Sequence, residues 1–300
     1  MICDIINDDC VKYLTSNRKN HFDLTFLDPP FNQGKEYNSH DDNMHPKEYW
    51  DWMRNVCGLI FNASSDGGAI YFMQREKNVK EVISVLEDSG WTFQNLIIWK
   101  KKTSAVPANE RFGKHYQVIV FATKGGKPGV FNKLRINPPL LVTEKYSRPT
   151  GMYVTDVWDD IRELTSGYFA GDEPIRHKNG ERFHKQQSPV QLLTRIILSS
   201  TKIEDLVFDP FAGTGTTNIV ARQLKRNSIG IEKDEENYNT IKKRLSDYRK
   251  SDDVTKFRED YIFTENLDEI FPAYEFEERQ PHQKQLVLFE KKAGYRKRNY

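Results

Sequence analysis

The segment from residue 206 to residue 217 constrains the fold more than any other part of the chain. A short apolar run at 206–208 leads into a turn that contains Gly213 and Gly215, and a helical pattern begins at Thr216. Parallel sheets use a strand, a glycine-rich turn and a helix in this order to present backbone N–H groups to a nucleotide-like ligand. The segment therefore predicts an α/β fold with a cofactor site at this turn.

Apolar runs of strand length alternate with amphipathic runs along most of the chain. The predicted strands lie at residues 2–6, 23–27, 69–73, 93–99, 116–122, 206–208 and 228–231. The predicted helices lie at residues 11–14, 46–62, 79–86, 189–197, 216–224 and 238–245, with a turn at 64–68 after the second of them. This alternation predicts a Rossmann-like, doubly wound, mostly parallel α/β sheet.

The alternation breaks between residues 123 and 187, where glycine and proline recur with only short apolar runs between them. We expect an irregular insertion there. The pattern weakens again beyond about residue 250, and residues 291–300 contain five basic side chains and no acid. That end of the chain is predicted to be a flexible basic tail.

Composition excludes several classes of protein. Cys3, Cys10 and Cys57 form no Cys-x-x-Cys pair and have no histidine at ligand spacing, which argues against structural zinc and a disulfide framework. We expect no metal site. No apolar run approaches the roughly 20 residues that a membrane-spanning helix needs. The N-terminus is strand-like rather than a basic signal sequence, so we expect a cytoplasmic protein without membrane association.

A second motif, Asp28-Pro29-Pro30-Phe31, follows the predicted strand at 23–27. A rigid strand exit with Asp28 capping the turn would explain it. The same groups also suit a planar amine, because a carboxylate and a fixed carbonyl can accept its two N–H hydrogens while an aromatic ring stacks on its face. An exocyclic base amine has this shape, and in a duplex that base must first leave the stack.

Glu232 closes the next predicted strand, 17 residues after Gly215. An acid in this place can accept hydrogen bonds from both hydroxyls of a ribose, although it could instead cap the following helix. The chain has no phosphate-binding P-loop motif. Its turn also lacks the third glycine of the dinucleotide fingerprint, which argues against NAD.

Together the two motifs resemble those of the S-adenosylmethionine-dependent DNA amino-methyltransferases, which methylate adenine N6 or cytosine N4 in bacterial restriction–modification systems. Asp28 to Phe31 matches the catalytic signature of that family, and Phe211 to Gly215 matches its Phe-x-Gly-x-Gly cofactor signature. Here the catalytic motif comes first, the insertion second and the cofactor motif last, which is the order of the family's β class. The resemblance implies a circularly permuted class I methyltransferase fold.

The resemblance also assigns four parts to the chain. They are a catalytic half (1–122), a target-recognition insertion (123–183), a cofactor-binding half (184–250) and a C-terminal extension with the basic tail (251–300). Within the second half, residues 184–189 resemble the family's His-Pro-Thr-Gln-Lys-Pro motif, but Lys185, Gln186 and Ser188 replace Pro, Thr and Lys. The side chains that hold the cofactor's carboxylate are therefore left open.

The resemblance implies roles for individual residues. The expected catalytic residues are Asp28, Pro29, Pro30 and Phe31, in which Asp28 and the Pro29 carbonyl accept from the target amine and Phe31 stacks on the base. The expected S-adenosyl-L-methionine contacts are Asp9, Asp28, Gln187, Ser188, Asp209, Phe211, Gly213, Gly215, Thr216 and Glu232. The expected contacts with double-stranded DNA are Lys100, Lys101, Lys102, Arg111, Lys114, Arg135 and Arg148.

Asp at position 28 favours adenine N6, because relatives that methylate cytosine N4 usually carry Ser there; cytosine N4 is the alternative. The order of the motifs argues against the glutamine methyltransferases that modify release factors. A non-catalytic DNA-binding module with this fold is the alternative from another class. A cognate restriction endonuclease and a second copy of the chain are the expected protein partners.

Overall fold

A computed structural model describes residues 1–17, 21–34, 42–102, 109–137, 148–164, 171–177, 179–184 and 186–272. The predicted basic tail at 291–300 lies outside these residues. Within them, no helix is long and apolar enough to cross a membrane.

Eight of the ten strands in the described residues form one sheet. The strands are β1 Cys3–Asn7, β2 Phe22–Leu27, β3 Ser64–Gln74, β4 Thr92–Lys100, β5 Tyr116–Thr123, β6 Arg135–Ile136, β7 Met152–Tyr153, β8 Val157–Trp158, β9 Leu206–Asp209 and β10 Asn227–Glu232. The sheet has the order β1-β10-β9-β2-β3-β5-β4-β8, and β6 pairs with β7 apart from it. Only β5 runs antiparallel to its two neighbours, so the predicted mostly parallel sheet is confirmed.

Helices cover both faces of this sheet. They are α1 Cys10–Ser16, α2 Pro46–Asn62, α3 Val79–Asp88, α4 Val190–Ser200, α5 Thr216–Gln223, α6 Glu235–Ser246 and α7 Leu267–Ile270. The apolar sides of α1, α2 and α3 bury one face of the sheet, and those of α4 and α5 bury the other. Apolar burial on both faces is what makes a doubly wound sheet stable.

Strand order brings the two sequence motifs together. β9 lies directly beside β2, with Leu24 opposite Val207 and Thr25 opposite Phe208 in parallel register. The chain leaves β2 toward β3 on one side and leaves β9 toward β10 on the other. The carboxyl ends of these strands form the topological switch point at which open α/β sheets bind ligands. The Asp28 turn and the Gly213 loop therefore share one edge of the sheet, as the circular order implied.

The predicted turn at residues 64–68 is wrong, because Ser64–Gln74 is one strand that begins directly after α2 and Ala63. The register between β2 and β3 shifts between Phe22 and Leu24, so an irregularity accommodates the polar and glycine residues inside the strand. A cluster of serine and glycine resembled a loop, but pairing with β2 decided the structure.

Part of the C-terminal extension belongs to the core. Residues 250–261 form three short 3₁₀ turns, and the buried side chains of Val254, Tyr261 and Phe271 pack on the same face as α4. Short 3₁₀ segments do not follow the 3.6-residue period, which is why the sequence pattern fades there. The predicted boundary at residue 251 thus divides one packed face.

The insertion is also attached to the sheet. Its β8 pairs in parallel with β4, and Asp160 just after it accepts two hydrogen bonds from the fully buried Arg195 of α4. Arg195 also lies 5.2 Å above the ring of Trp158. These contacts join the irregular segment to the core.

Candidate active site

A cavity lies at the switch point, at the carboxyl ends of β2, β9 and β10. The described residues around it include Asp8, Asp9, Cys10, Phe26, Asp28, Pro29, Pro30, Trp52, Phe183, His184, Gln186, Ser188, Asp209, Pro210, Phe211, Ala212, Gly213, Thr214, Thr216, Thr217, Ile231, Glu232, Lys233, Asp234, Glu236 and Asn237. Both sequence motifs therefore open into one cavity.

The lining of the cavity is strongly acidic. Among its described residues, seven carry carboxyl groups, whereas Lys233 and His184 are the two with basic side chains. Such a lining repels a pyrophosphate and attracts a cationic ligand. It fits a cofactor that contains a sulfonium and an ammonium group, and it disfavours a dinucleotide.

Asp209 shapes the loop between β9 and α5. Its carboxylate accepts hydrogen bonds from the Phe211 N–H at 3.1 Å and from the Thr217 hydroxyl at 2.5 Å. Burial raises the pKa of Asp209 to about 6, and these two hydrogen bonds oppose that rise only in part. The side chain is 3% exposed, so Asp209 holds the loop rather than presenting a free charge to a ligand.

The two glycines of this loop have different roles. Both have positive φ, 55° at Gly213 and 74° at Gly215. A Cβ at Gly215 would lie 2.5 Å from Ile241 Cγ2, so this glycine permits α6 to pack on the first turn of α5. A Cβ at Gly213 would meet nothing closer than the His184 ring at 3.6 Å, and Gly213 lines the cavity. Of the two, only Gly213 lines the space that a ligand can occupy.

Glu232 ends β10 and lines the cavity. Its two carboxylate oxygens accept from the N–H groups of Gly213 at 2.7 Å and Asp234 at 2.8 Å. Burial raises the pKa of Glu232 to about 7 despite these bonds. The Asn237 side chain is a third hydrogen-bond partner, and the carboxylate has one further acceptor position for a ligand hydroxyl.

Asp9 also lines the cavity, but its side chain has a structural task. One oxygen caps α1 by accepting from the Val11 and Lys12 N–H groups, and the other lies 3.5 Å from Lys233 Nζ. Thr216 similarly accepts from Arg244 Nη1 at 3.1 Å. Arg244 in turn pairs with the buried Asp252, which ties the C-terminal segment to the cofactor loop.

Asp28 is oriented by a residue 160 positions away. The Ser188 hydroxyl donates to one Asp28 carboxylate oxygen at 3.2 Å. Ser188, predicted as a cofactor contact, therefore lies against the catalytic motif. The preceding residue, Gln187, was also predicted as a cofactor contact; its side chain bonds to the backbone of Ile175 and Glu173, and it is not among the described cavity residues. Gln186 and His184 line the cavity instead.

The Pro30 carbonyl and the Phe31 ring of the catalytic motif are both held inside the protein. The Pro30 carbonyl accepts from the Tyr49 hydroxyl at 2.8 Å inside the protein. Phe31 is only 2% exposed and packs in the core on the α4 side of the sheet, so it is not among the described cavity residues. Stacking of this ring on a base requires it to become accessible.

The basic residues expected to contact DNA fall into two groups. Lys100, Lys102 and Arg111 are exposed; Lys100 ends β4, and the other two follow it. Lys100 pairs with Tyr116 and Gln74 pairs with Val118, so β4 and β3 end at the same edge of the sheet. Asp28 lies at this edge too, because β2 runs parallel to β3. Lys114 lies there too but forms an ion pair with Glu76. Lys101 is half-buried, and burial lowers its pKa while Glu163 and Glu76 oppose the change.

The second group lies on the small sheet. Arg135 stacks on the ring of Tyr153 at 4.3 Å, and its guanidinium donates to Tyr153 and Thr150. Arg148 contacts the Met152 sulfur at 2.9 Å. These two arginines are partly engaged within the insertion itself.

Several residues in this region carried no sequence signal. Tyr49 and Gln74 lie in two separate elements with apolar patterns, so nothing in the sequence distinguished them from other core residues. Trp52 lines the cavity, and its ring packs edge-on against that of Phe211 with 5.6 Å between the ring centroids. Phe112, beside Arg111, is 98% exposed. For Phe112 the sequence did offer one indication of a DNA contact, because it is an aromatic residue next to basic residues in a loop. Among the described residues, no three His, Cys, Asp or Glu side chains come together as a metal site.

Comparisons with known proteins agree with this site. The sequence profile of a family described as DNA methylase matches residues 22–243. The chain is 29% identical over 242 residues to the type II methyltransferase M.HpaI of Haemophilus parainfluenzae, across 80% of this chain and 73% of that protein. It is also 29% identical over 268 residues to the type II methyltransferase M.HinfI of Haemophilus influenzae, across 82% and 68%.

Solved structures resemble the fold at lower identity. The M1.HpyAVI–SAM complex superposes with a TM-score of 0.55 at 23% identity and covers 82% of this chain and 99% of that one. The PvuII DNA methyltransferase, described as cytosine-N4-specific, gives 0.59 at 18% identity and covers 88% and 92%. The family match spans both loops that open into the acidic cavity. The chain therefore belongs to the DNA methylase family, whose members transfer a methyl group from S-adenosylmethionine to an amino group of DNA.

Proposed function

We propose that this chain methylates adenine N6 in double-stranded DNA, at a base that is flipped out of the duplex. The observation that carries the proposal is the Asp28 carboxylate, held by Ser188 in the same acidic cavity as the Gly213 loop. Relatives that act on cytosine N4 usually carry Ser in place of this aspartate.

S-adenosylmethionine, when bound, supplies a methyl group on a positively charged sulfur. Glu232 accepts a hydrogen bond from a ribose hydroxyl at its remaining acceptor position. Gly213 allows close approach of the backbone, and the acids of the lining stabilise the positive charge. Asp9 and Phe211 complete the walls around it.

The turn after β2 orients the target amine. An exocyclic amine is a poor nucleophile, because its lone pair is delocalised into the heterocycle. Asp28 and the Pro29 carbonyl accept its two N–H hydrogens and favour the pyramidal geometry in which the lone pair points at the methyl group. This is pre-organised electrostatic catalysis, which needs no covalent intermediate on the protein.

Exposed residues at this edge of the sheet are suited to holding the duplex. Lys100, Lys102 and Arg111 are free to contact phosphates, and Phe112 can stack on a base beside the flipped one. Four other basic residues must first give up contacts within the protein before they can contact phosphates: Lys101, Lys114, Arg135 and Arg148. The insertion is the proposed target-recognition region, and Phe31 the proposed stacking partner of the flipped base.

The similarity to type II methyltransferases supports a role in a restriction–modification system, with a cognate endonuclease as the proposed functional partner. Methylation by this chain would protect host DNA from that endonuclease. A homodimer is the proposed assembly, as in other enzymes of the class.

The test is transfer of tritiated methyl groups to DNA, followed by identification of the modified nucleoside. N6-methyladenine is the expected product. N4-methylcytosine would overturn the base assignment but leave the enzyme class intact. Binding of S-adenosylmethionine without transfer to any DNA would instead favour a non-catalytic DNA-binding module. Sequencing of DNA from cells with and without the gene would then identify the recognition site.

A further inference from the structure

Two buried residues outside both sequence motifs hold the catalytic turn. We propose that Tyr49 and Gln74 are positioning residues that orient the Pro29 carbonyl toward the target amine by fixing its neighbour, the Pro30 carbonyl. This inference rests on the proposed function of the Asp28 turn, and it adds residues that the two motifs do not contain.

The chemistry of proline explains why such an anchor is needed. Pro29 and Pro30 have no N–H groups, so the backbone between Asp28 and Phe31 can be held only through its carbonyls and side chains. The Pro30 ring fixes one of the two dihedral angles between the adjacent peptide planes. A hydrogen bond to the Pro30 carbonyl fixes the other. One donor is therefore sufficient to set the direction of the Pro29 carbonyl relative to the protein interior.

The structure provides this donor in a defined orientation. The Tyr49 hydroxyl is 2.8 Å from the Pro30 carbonyl oxygen and 3.0 Å from Gln74 Nε2. Gln74 Oε1 accepts from the Arg75 N–H at 2.9 Å, which points the amide nitrogen at Tyr49. Because Gln74 donates to the hydroxyl, the single hydroxyl proton of Tyr49 is directed at Pro30.

Burial makes this chain of hydrogen bonds rigid. Tyr49 is 1% exposed and Gln74 is fully buried, so water cannot replace a missing donor. Tyr49 comes from α2 and Gln74 from the end of β3, beside the strand that leads into the turn. The direction of the Pro29 carbonyl is thereby fixed relative to α2 and β3, two elements of the core.

The test compares Tyr49→Phe with Tyr71→Phe in the full-length protein. Tyr71 is a matched control, because it is 2% exposed and its hydroxyl also makes a buried hydrogen bond, to Ser200 at 2.7 Å. Tyr49→Phe removes two such bonds, to Pro30 and from Gln74, whereas Tyr71→Phe removes one, so Tyr49→Phe should lose more thermal stability and the rates are compared at a temperature at which both variants are folded. We expect Tyr49→Phe to lower the single-turnover methylation rate about 10- to 100-fold, with unchanged affinity for S-adenosylmethionine, since small misplacements at a reacting centre have effects of this size. Tyr71→Phe should stay within about twofold of the unmodified protein.

A rate for Tyr49→Phe equal to that of Tyr71→Phe would overturn the proposal, as would a loss of cofactor affinity that accounts for the lower rate. Should Tyr49→Phe not fold, Gln74→Leu carries the same test, because it retains the tyrosine but removes the group that directs its proton. We expect a smaller decrease for it, about threefold; no decrease relative to Tyr71→Phe would again overturn the proposal. Absence of DNA methylation by the unmodified protein would contradict the proposed function instead.

Discussion

The cofactor loop and the catalytic turn face the same cavity, but different parts of the chain hold them. In the loop after β9, Asp209 bonds to Phe211 and to Thr217, within eight residues of itself. In the turn after β2, the anchors are Tyr49, from a separate helix, and Ser188, from the other end of the fold. The first region is held partly by its own side chains, together with Glu232 and Arg244, whereas the anchors described for the second all come from distant parts of the chain.

This difference follows from the backbone donors that each region has. The cofactor loop has N–H groups at Phe211 and Gly213, which bond to Asp209 and Glu232. The two prolines of the catalytic turn offer none. A motif rich in proline gains rigidity but must obtain its orientation from elsewhere. Four changes, in order of decreasing expected effect, would break or sharpen this comparison.

Replacement of the catalytic carboxylate should have the largest effect. Asp28→Asn keeps the shape of the side chain but replaces one acceptor oxygen with a donor, so it can no longer accept both the amine proton and the Ser188 hydroxyl in the same way. We expect methyl transfer to fall by about 10²- to 10³-fold or more. Cofactor affinity, measured by calorimetry, should change little. Asp51→Asn, on the exposed surface of α2, is the control and should retain full activity.

The two glycines of the cofactor loop should separate folding from binding. Gly215→Ala places a Cβ 2.5 Å from Ile241 at φ 74°, and we expect it to lower the free energy of unfolding by about 2–4 kcal/mol. Gly213→Ala has strain but no clash, so it should cost about 1 kcal/mol. Denaturant titration measures both effects.

Cofactor affinity should show the opposite order for these two variants. The Gly213→Ala methyl group lies at the cavity, and we expect affinity for S-adenosylmethionine to fall about tenfold, whereas folded Gly215→Ala should bind more nearly as the unmodified protein does. Equal effects of both variants on binding would show that the two glycines do not divide these tasks.

The pKa of Glu232 predicts how cofactor affinity depends on pH. Burial raises this pKa to about 7, and ribose hydroxyls donate to the ionised form. Binding therefore requires loss of the proton, and affinity should fall about tenfold from pH 8 to pH 6. By the same shift, Glu232 stabilises the unliganded fold below pH 4.5, and this contribution is lost as the pH rises through about 7.

Calorimetry on the unmodified protein and on Glu232→Gln checks this expectation, and the comparison cancels titration of the cofactor itself. The glutamine variant should bind more weakly and show a shallower pH dependence. Asp209, with a pKa of about 6, remains in both proteins as a common background. If cofactor affinity depends on pH equally in the two proteins, Glu232 does not bind the ribose.

The smallest effect is expected at the DNA-facing edge. Phe112→Ala should raise the KM for DNA about three- to tenfold, because one stacking contact is lost, while kcat changes less. Phe93→Ala is the control, since Phe93 is 39% exposed but starts β4 at the opposite edge of the sheet. A similar KM for both variants would mean that DNA does not contact the Phe112 loop.

Much of the fold could be predicted from the sequence. The bounds of α2 were predicted correctly because proline at its first turn and an apolar stripe define a helix locally. The strand that leads into the Gly213 loop and the strand that ends at Glu232 also lie within one residue of their predicted bounds, because short apolar runs define them locally. The turn predicted at 64–68 failed, because pairing of β3 with β2 overrode the local preference of serine and glycine.

The candidate site was predictable only in part. Asp28 and Gly213 belong to short motifs with a chemical rationale, and both line the cavity. Gln187 was predicted as a cofactor contact, but its amide is used to hold residues 173–175. Side-chain direction at such a position depends on which distant backbone groups need a partner, and no local pattern records that.

The sequence by itself determined the strand–helix order, the two motifs and the circular permutation that brings them to one sheet edge. Those features depend on periodicity and on residues a few positions apart. Only the tertiary structure decided that Ser188 orients Asp28, that Tyr49 and Gln74 hold the Pro30 carbonyl, and that Gly215 serves packing while Gly213 lines the cavity. Such contacts join residues far apart in the chain, and they exist only where the packed core brings a buried donor to a buried acceptor.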